Sequence, residues 1–320
     1  MRNTFALLVL ACASQAALAQ GYPNKPIRLV VGFAPGGAAD IIARTMSDPL
    51  AHALGQGIIV DNRPGAGSSV AAELVAKAPA DGYTIMIASQ SGMIINPLIN
   101  KNVGYSSTRD FFALTQVTSS PLVVAVNPSL KVTSIAELIA AAKASPGRLN
   151  YATSGNGSLP HLATTLFSAL AGVQMVHVPY KSGGQSVQSV LAGDTQLTFA
   201  TAPSVMPLVQ SHRLRGIAVT TRARSPLIAG LPGMEEAGLP GYNVSIWYGF
   251  FAPAAVPRDI ALRLFHATVQ ALKDPKLKQG LATDGTEALA SSSPEAFAAF
   301  LREETEVLTR VIRESGAKFD

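Results

Sequence analysis

Along this chain, apolar runs of strand length alternate with clusters of Gly, Ser, Thr or Asn, and each cluster opens into a helical pattern. Ile27-Arg28-Leu29-Val30-Val31 leads to Phe33-Ala34-Pro35-Gly36-Gly37. Ile58-Ile59-Val60 leads to the Gly- and Ser-rich stretch 62–69, and residues 83–87 lead to Ser89-Gln90-Ser91-Gly92. The unit returns at residues 149–152, 175–178, 196–199 and 216–219. Strands alternating with helices predict an α/β fold with parallel sheets covered on both faces, and near-continuous apolar strands suit that burial. The helical patterns are specific. Residues 38–54 carry Ile41, Ile42, Thr45 and Leu50 on roughly one face. Ser134-Ile135-Ala136-Glu137 reads as a capping box opening a helix to Ala144. Pro257 and Pro294 fit first-turn positions of two later helices. In the second of these, Phe297, Phe300, Leu301, Leu308, Val311 and Ile312 keep helical spacing.

Three strand units precede about residue 105 and four lie between 149 and 221. Two extended stretches, residues 111–127 and 245–253, separate the groups. The economical arrangement is two α/β lobes with parallel-core sheets, joined by two crossing strands. Residues 20–120 and 246–320 form the first lobe and residues 121–245 the second. Residues 1–19 read as a secretory signal peptide. Arg2 is the one charge before Lys25, a short apolar run follows, and Ala17-Leu18-Ala19 gives the small-x-small cleavage pattern. The run falls short of the ~20 apolar residues a bilayer span needs. Cys12, the one cysteine, lies in a partial lipobox, Val9-Leu10-Ala11-Cys12, whose apolar core is too short to favour lipid anchoring. Cleavage after Ala19 leaves a mature chain without cysteine, which excludes disulfides, thiolate catalysis and Cys-ligated zinc.

Composition narrows the function classes. The 320 residues suggest about two domains. With 48% hydrophobic and 14% charged residues, disorder is excluded. The formal charge of +5 is spread out, with no basic run that would mark a nucleic-acid or anionic-lipid partner.

The chemistry therefore rests on the loops. In open α/β sheets, ligands bind outside the carboxyl ends of the strands. Here those ends are Gly- and hydroxyl-rich turns that open helices, and helix N-termini bind anions through unpaired N–H groups and a partial positive charge. Hydrogen bonds to a charged group at roughly 1.5–3 kcal/mol each, with helix N-termini at about 0.3–1 kcal/mol each, can hold a small carboxylate at the ~8 kcal/mol of a micromolar complex. No Arg or Lys clamp is required. The charged residues near these loops have structural readings. Asp40 suits a helix first turn and can brace the loop before it, and Arg63 reads as a loop brace. Lys181 reads as exposed, and His161 as structural or as a ligand donor. Trp247 suits either the cleft or hinge packing. Catalysis is weakly signalled. Ala152 breaks the G-x-S-x-G pattern around Ser154, dinucleotide and P-loop patterns fail, and the five histidines show no metal spacing. No catalytic residue, metal or cofactor is assigned. A serine hydrolase using Ser154 or Ser158 is the remote alternative.

Residues 33–40 (Phe-Ala-Pro-Gly-Gly-Ala-Ala-Asp), residues 61–67 and 80–84, residues 151–158 with His161-Leu162, Val178-Pro179-Tyr180-Lys181, and Trp247-Tyr248-Gly249 with Ala252-Pro253 form an ordered set of motifs. Together they resemble the Bug (Bordetella uptake gene) family, the receptors of tripartite tricarboxylate transporters. The resemblance spans essentially the whole mature chain. It implies a periplasmic, two-lobed binding protein of type II (the Venus flytrap), with a small organic acid in the cleft. By position, the ligand contacts it implies are Phe33, Ala34, Gly36, Gly37, Asp40, Ser89 and Ser91 in the first lobe. Those in the second are Ser154, Gly157, Ser158, His161, Tyr180, Thr201 and Ser204. A monomer is expected, read by a membrane permease or a sensor protein. The chain departs from the family pattern at Ser182, Gln185 and Gln188, at Gly233-Met234-Glu235, and in the third loop, Ser89-Gln90-Ser91-Gly92. These departures leave a neutral amide or an aromatic acid as alternative ligands.

Overall fold

The computed structural model describes residues 21–100 and 102–314, so residues 1–19, read above as a signal peptide, and Cys12 within them lie outside it. All seven strand units form strands: β1 (Ile27–Val31), β2 (Ile58–Asn62), β3 (Thr84–Ser89), β5 (Asn150–Thr153), β6 (Val176–Pro179), β7 (Leu197–Thr201) and β8 (Arg215–Val219). The two extended stretches are β4 (Phe111–Val126) and β9 (Ser245–Pro253), and a two-residue β10 (Glu287–Ala288) was not foreseen. The helices are α1 (Ala38–Leu54), α2 (Ser69–Ala76), α3 (Asn96–Ile99), α4 (Ile135–Ala144), α5 (Leu159–Ala171), α6 (Gly183–Ala192), α7 (Ala202–Gln210), α8 (Arg258–Ala271), α9 (Pro275–Thr283) and α10 (Pro294–Glu314).

The sheet order is β2-β1-β3-β9-β4-β7-β5-β6, with β8 and β10 also on β4. Each half has a parallel core, β2-β1-β3 in one and β7-β5-β6 in the other. The strands between them are antiparallel. β4 pairs with β9 from Phe111 to Pro121, then with β7 from Leu122 and with β8 from Val123. β4 is thus a working member of both sheets, whereas β9 pairs with β3 and β4 in the first, and the sheet is mixed rather than purely parallel. β8 keeps the direction of the parallel strands β7, β5 and β6, but it pairs with β4, which runs antiparallel to both β7 and β8. Central strands are buried throughout, whereas the edges are not: Ile59 of β2 is 57% exposed and Val176 of β6 is 44% exposed.

Local sequence accounts for the helix ends. Ser182 Oγ accepts the Gln185 N–H at 3.3 Å, and Gln185 Oε1 accepts the Lys181 N–H at 3.0 Å. The Ser182 and Gln185 departures therefore make a variant of the capping box that starts α6, with Gln185 reaching back to the residue before the N-cap. At α4, Ser134 Oγ accepts the Glu137 N–H (3.2 Å), while Glu137 reaches back one residue beyond the expected box, to the Thr133 N–H at 2.6 Å. In α1 the buried face is Ala39, Ile42, Ala43, Met46 and Leu50. Ile41 and Thr45 flank it, because Met46 extends the i, i+4 row from Ile42.

Candidate functional site

A narrow cavity of about 20 Å³ lies where the carboxyl ends of the parallel strands from both halves face each other. Phe33, Gly37, Ala38 and Ala39 line it from the β1–α1 turn, and Ser89 and Ser91 from the end of β3. Ser154, Pro160, Gly183 and Thr201 line it from the second half, and Ile246 and Tyr248 from β9. Among the described residues, none of those lining it is acidic, basic or histidine.

Four helix N-termini converge here. Gly37 is the N-cap of α1 and Thr201 that of α7, and neither end has a side-chain cap. Pro160 is the second residue of α5, and Gly183 the first of α6. First-turn N–H groups have no partner inside their own helix, and each N-terminus carries about half a positive charge. Hydroxyls of Ser89, Ser91, Ser154, Thr201 and Tyr248 surround them. Burial pushes the Tyr248 phenol far above its ordinary value, so it remains a neutral donor or acceptor. The device favours an anion with no formal positive side chain.

The halves also touch around the cavity. The Ala34 N–H donates to the Lys181 carbonyl at 3.2 Å, and the Leu159 N–H donates to Ser91 Oγ at 2.9 Å. Gly36 and Gly184 meet backbone to backbone, leaving no room for a side chain on Gly184.

Of the fourteen expected contacts, Phe33, Gly37, Ser89, Ser91, Ser154 and Thr201 line this cavity. The other eight are placed elsewhere, and all but one of them support the walls. Ala34 spends its N–H across the cleft on Lys181. Gly36 donates its N–H to Asp40 Oδ2 at 3.0 Å. Gly157 turns over Asn96 at a φ of 70°, a left-handed geometry suited to glycine. Ser158 caps α5, accepting the His161 N–H at 3.4 Å. Tyr180 donates its hydroxyl to Ser189 Oγ at 2.7 Å, and Ser204 Oγ shares a hydrogen with Thr201 Oγ1 at 2.9 Å. His161 turns away altogether and stacks on His177, ring centroids 3.8 Å apart. Burial, with the neighbouring His177, pulls its pKa down to about 3, which makes it a poor general base for Ser154 or Ser158. Trp247 packs against Phe297 and Phe300, the hinge-packing alternative. The sequence reading missed Ala38, Ala39, Pro160, Gly183, Ile246 and Tyr248. The two-residue period of β9 was the available signal, since Ile246 and Tyr248 must face away from Trp247.

Asp40 is a brace. It is 4% exposed, and it accepts from the Gly36 N–H, from Asn62 Nδ2 and from Arg44 Nε, each at 3.0 Å. Asn62 Nδ2 also donates to the Phe33 carbonyl at 3.0 Å. The cavity turn at residues 33–37 is thereby tied to α1 and β2. Burial raises the Asp40 carboxyl, but hydrogen bonds from Arg44, Gly36 and Asn62 outweigh it and leave the group below its ordinary 3.8. A carboxyl lowered in the fold stabilises above its unfolded value, and that contribution drains away as pH falls through the lowered one. The Asp40→Ala variant should melt roughly 3–6 °C below wild type at pH 7. The gap should narrow as pH drops below 4; a constant gap down to pH 2.5 in thermal melts contradicts the brace.

The family of tripartite tricarboxylate transporter receptors matches residues 42–317. Protein BugT of Bordetella pertussis is 33% identical over 301 residues, covering 94% of this chain and 92% of BugT. The solved structure of R. palustris Rpa4515 with adipate superposes with a TM-score of 0.89 at 33% identity, covering 92% of this chain and 99% of that one. MatC from Rhodopseudomonas palustris with bound malate gives a TM-score of 0.86 at 26% identity, covering 91% of this chain and all of MatC. Together, the mixed two-part sheet, the cavity at the facing strand ends and these matches settle the assignment: the chain belongs to the tripartite tricarboxylate transporter receptor family, the Bug-type periplasmic binding proteins.

Proposed function

We propose that the protein is a periplasmic receptor that closes two lobes on a small organic carboxylate and presents it to a membrane permease. The carrying observation is the convergence of four helix N-termini on one cavity lined by hydroxyls and no charged side chain. Relatives solved with adipate and malate support the same ligand class. Among the described residues, no helix is long and apolar enough to cross a membrane, which suits a receptor released after residue 19. We place the lobe boundaries at 120/121 and 245/246, each within one residue of where β4 exchanges β9 for β7 (after Pro121) and of where β9 begins (Ser245). The receptor acts as a monomer, without metal, cofactor or catalytic step. The N–H groups and hydroxyls are acceptor-seeking, and the apolar wall of Phe33, Pro160 and Ile246 suits the carbon chain between carboxylates.

Thermal melts with succinate, malate, adipate, benzoate and nicotinamide test this reading. An acid present at 100 times its Kd adds about 2.7 kcal/mol, roughly 4 °C for a chain of this length. Stabilisation by a carboxylate and none by the amide is expected. A shift from nicotinamide alone turns the ligand class to neutral amides, and no shift from any acid removes the proposal.

A further inference from the structure

Ser91 stands where the two halves meet across the cavity. It is 1% exposed and lines the cavity. Its Oγ accepts the Leu159 N–H at 2.9 Å. Leu159 is the first residue of α5, so its N–H has no acceptor inside that helix. The N-cap Ser158 has its own Oγ on the His161 N–H. A first-turn amide of the second half is thus satisfied by a side chain of the first. The Ser91 backbone is itself fixed. Its N–H donates to Ser89 Oγ at 3.3 Å. The preceding Gln90 is clamped to the returning strand, donating Nε2 to the Ser245 carbonyl at 2.7 Å and accepting the Trp247 N–H at 3.2 Å. A serine hydroxyl has one proton and two lone pairs. With a lone pair on Leu159, the proton remains for whatever occupies the cavity.

We infer that Ser91 is the positioning residue that couples ligand capture to closure. Its proton goes to a ligand carboxylate while its oxygen holds the Leu159 N–H. Linked hydrogen bonds polarise one another. A carboxylate that draws on the Ser91 proton makes its oxygen a better acceptor, so the ligand tightens the bond that spans the halves. The inference rests on the carboxylate reading above. Ser154 provides the contrast, since it lines the same cavity without such a bond across the cleft among those described.

The test uses the intact protein with succinate, malate and adipate, read by calorimetry and by small-angle scattering. Ser91→Ala should weaken binding roughly 30-fold and lose the contraction at saturating ligand. Ser91→Thr, which keeps the hydroxyl, should restore the contraction, and Ser154→Ala should bind more weakly yet contract fully. Unchanged affinity in Ser91→Ala, or weakened binding with full contraction, overturns the inference while the receptor reading stands. A wild-type protein that neither binds nor contracts with any of the acids removes the receptor reading and the inference with it. Should Ser91→Ala not fold, amide exchange in wild type decides the matter. Ligand should slow the Leu159 amide far more than that of Leu162, and equal slowing counts against Ser91.

Discussion

Gly184→Ala should abolish ligand-dependent closure in a protein that is otherwise fully folded. Gly184 is the second residue of α6, where alanine is the better helix former by roughly 0.5–1 kcal/mol. Local propensity therefore predicts a slightly higher melting point. Closure predicts the opposite for binding. A Cβ on Gly184 would stand 2.5 Å from the Gly36 carbonyl oxygen and 2.9 Å from its carbon. Those atoms are backbone, and Gly36 is tethered by its N–H to Asp40, so neither partner yields cheaply. Holding the halves apart also stretches the Ala34–Lys181 and Ser91–Leu159 hydrogen bonds. Overpacking at about 1–3 kcal/mol and two weakened bonds at about 0.5–1.5 kcal/mol each correspond to roughly 100-fold in affinity. Calorimetry with adipate or malate reads the loss directly, and scattering should show the extended form at every ligand concentration. Wild-type affinity in this variant would mean that the halves do not meet at Gly36 and Gly184 when ligand is bound.

This glycine contact shows where the sequence is legible and where it stops. Strand runs and turn clusters follow one another so regularly along the chain that their order alone marks out both parallel cores and both crossings. A Gly-Gly pair after a strand says that backbone must come close to something. It cannot say whether that something is a ligand or the other half of the protein. Gly37 and Ser154 proved to line the cavity, whereas Gly36, Ala34 and Ser158 have their polar groups engaged in closure and capping. The distinction depends on where the second half lies relative to the first, a tertiary fact that no local pattern encodes. His161 illustrates the same limit. Its place in a helix first turn was readable, but its stacking on His177 from a later strand was not. Tyr248 and Ile246 were within reach, because alternation along β9 places them opposite Trp247. What was lacking was the knowledge of which face held the helices.

That other face of β9 carries the last large effect, and it separates stability from binding. Trp247, Gly249 and Phe251 point away from the cavity toward α10. Phe297 there is fully buried, with ring centroids 5.8 Å from Trp247 and 5.4 Å from Phe251. Gly249 leaves the space that the Phe297 ring fills, since any Cβ on it would overlap that ring. Phe297→Ala removes the plug of this cluster and should cost about 3–5 kcal/mol, lowering the melting point by roughly 5–10 °C. The cavity face should survive. β9 is hydrogen-bonded to β3 on one side and to β4 on the other, so Ile246 and Tyr248 keep their positions without help from α10. Phe297→Ala should therefore melt early yet retain the full stabilisation by adipate or malate, whereas Gly184→Ala should melt normally and gain none. Parallel melts of both variants with and without ligand check this crossed pattern. If Phe297→Ala loses its ligand response together with its stability, the returning strand is held in place by the C-terminal helix rather than by its neighbours in the sheet.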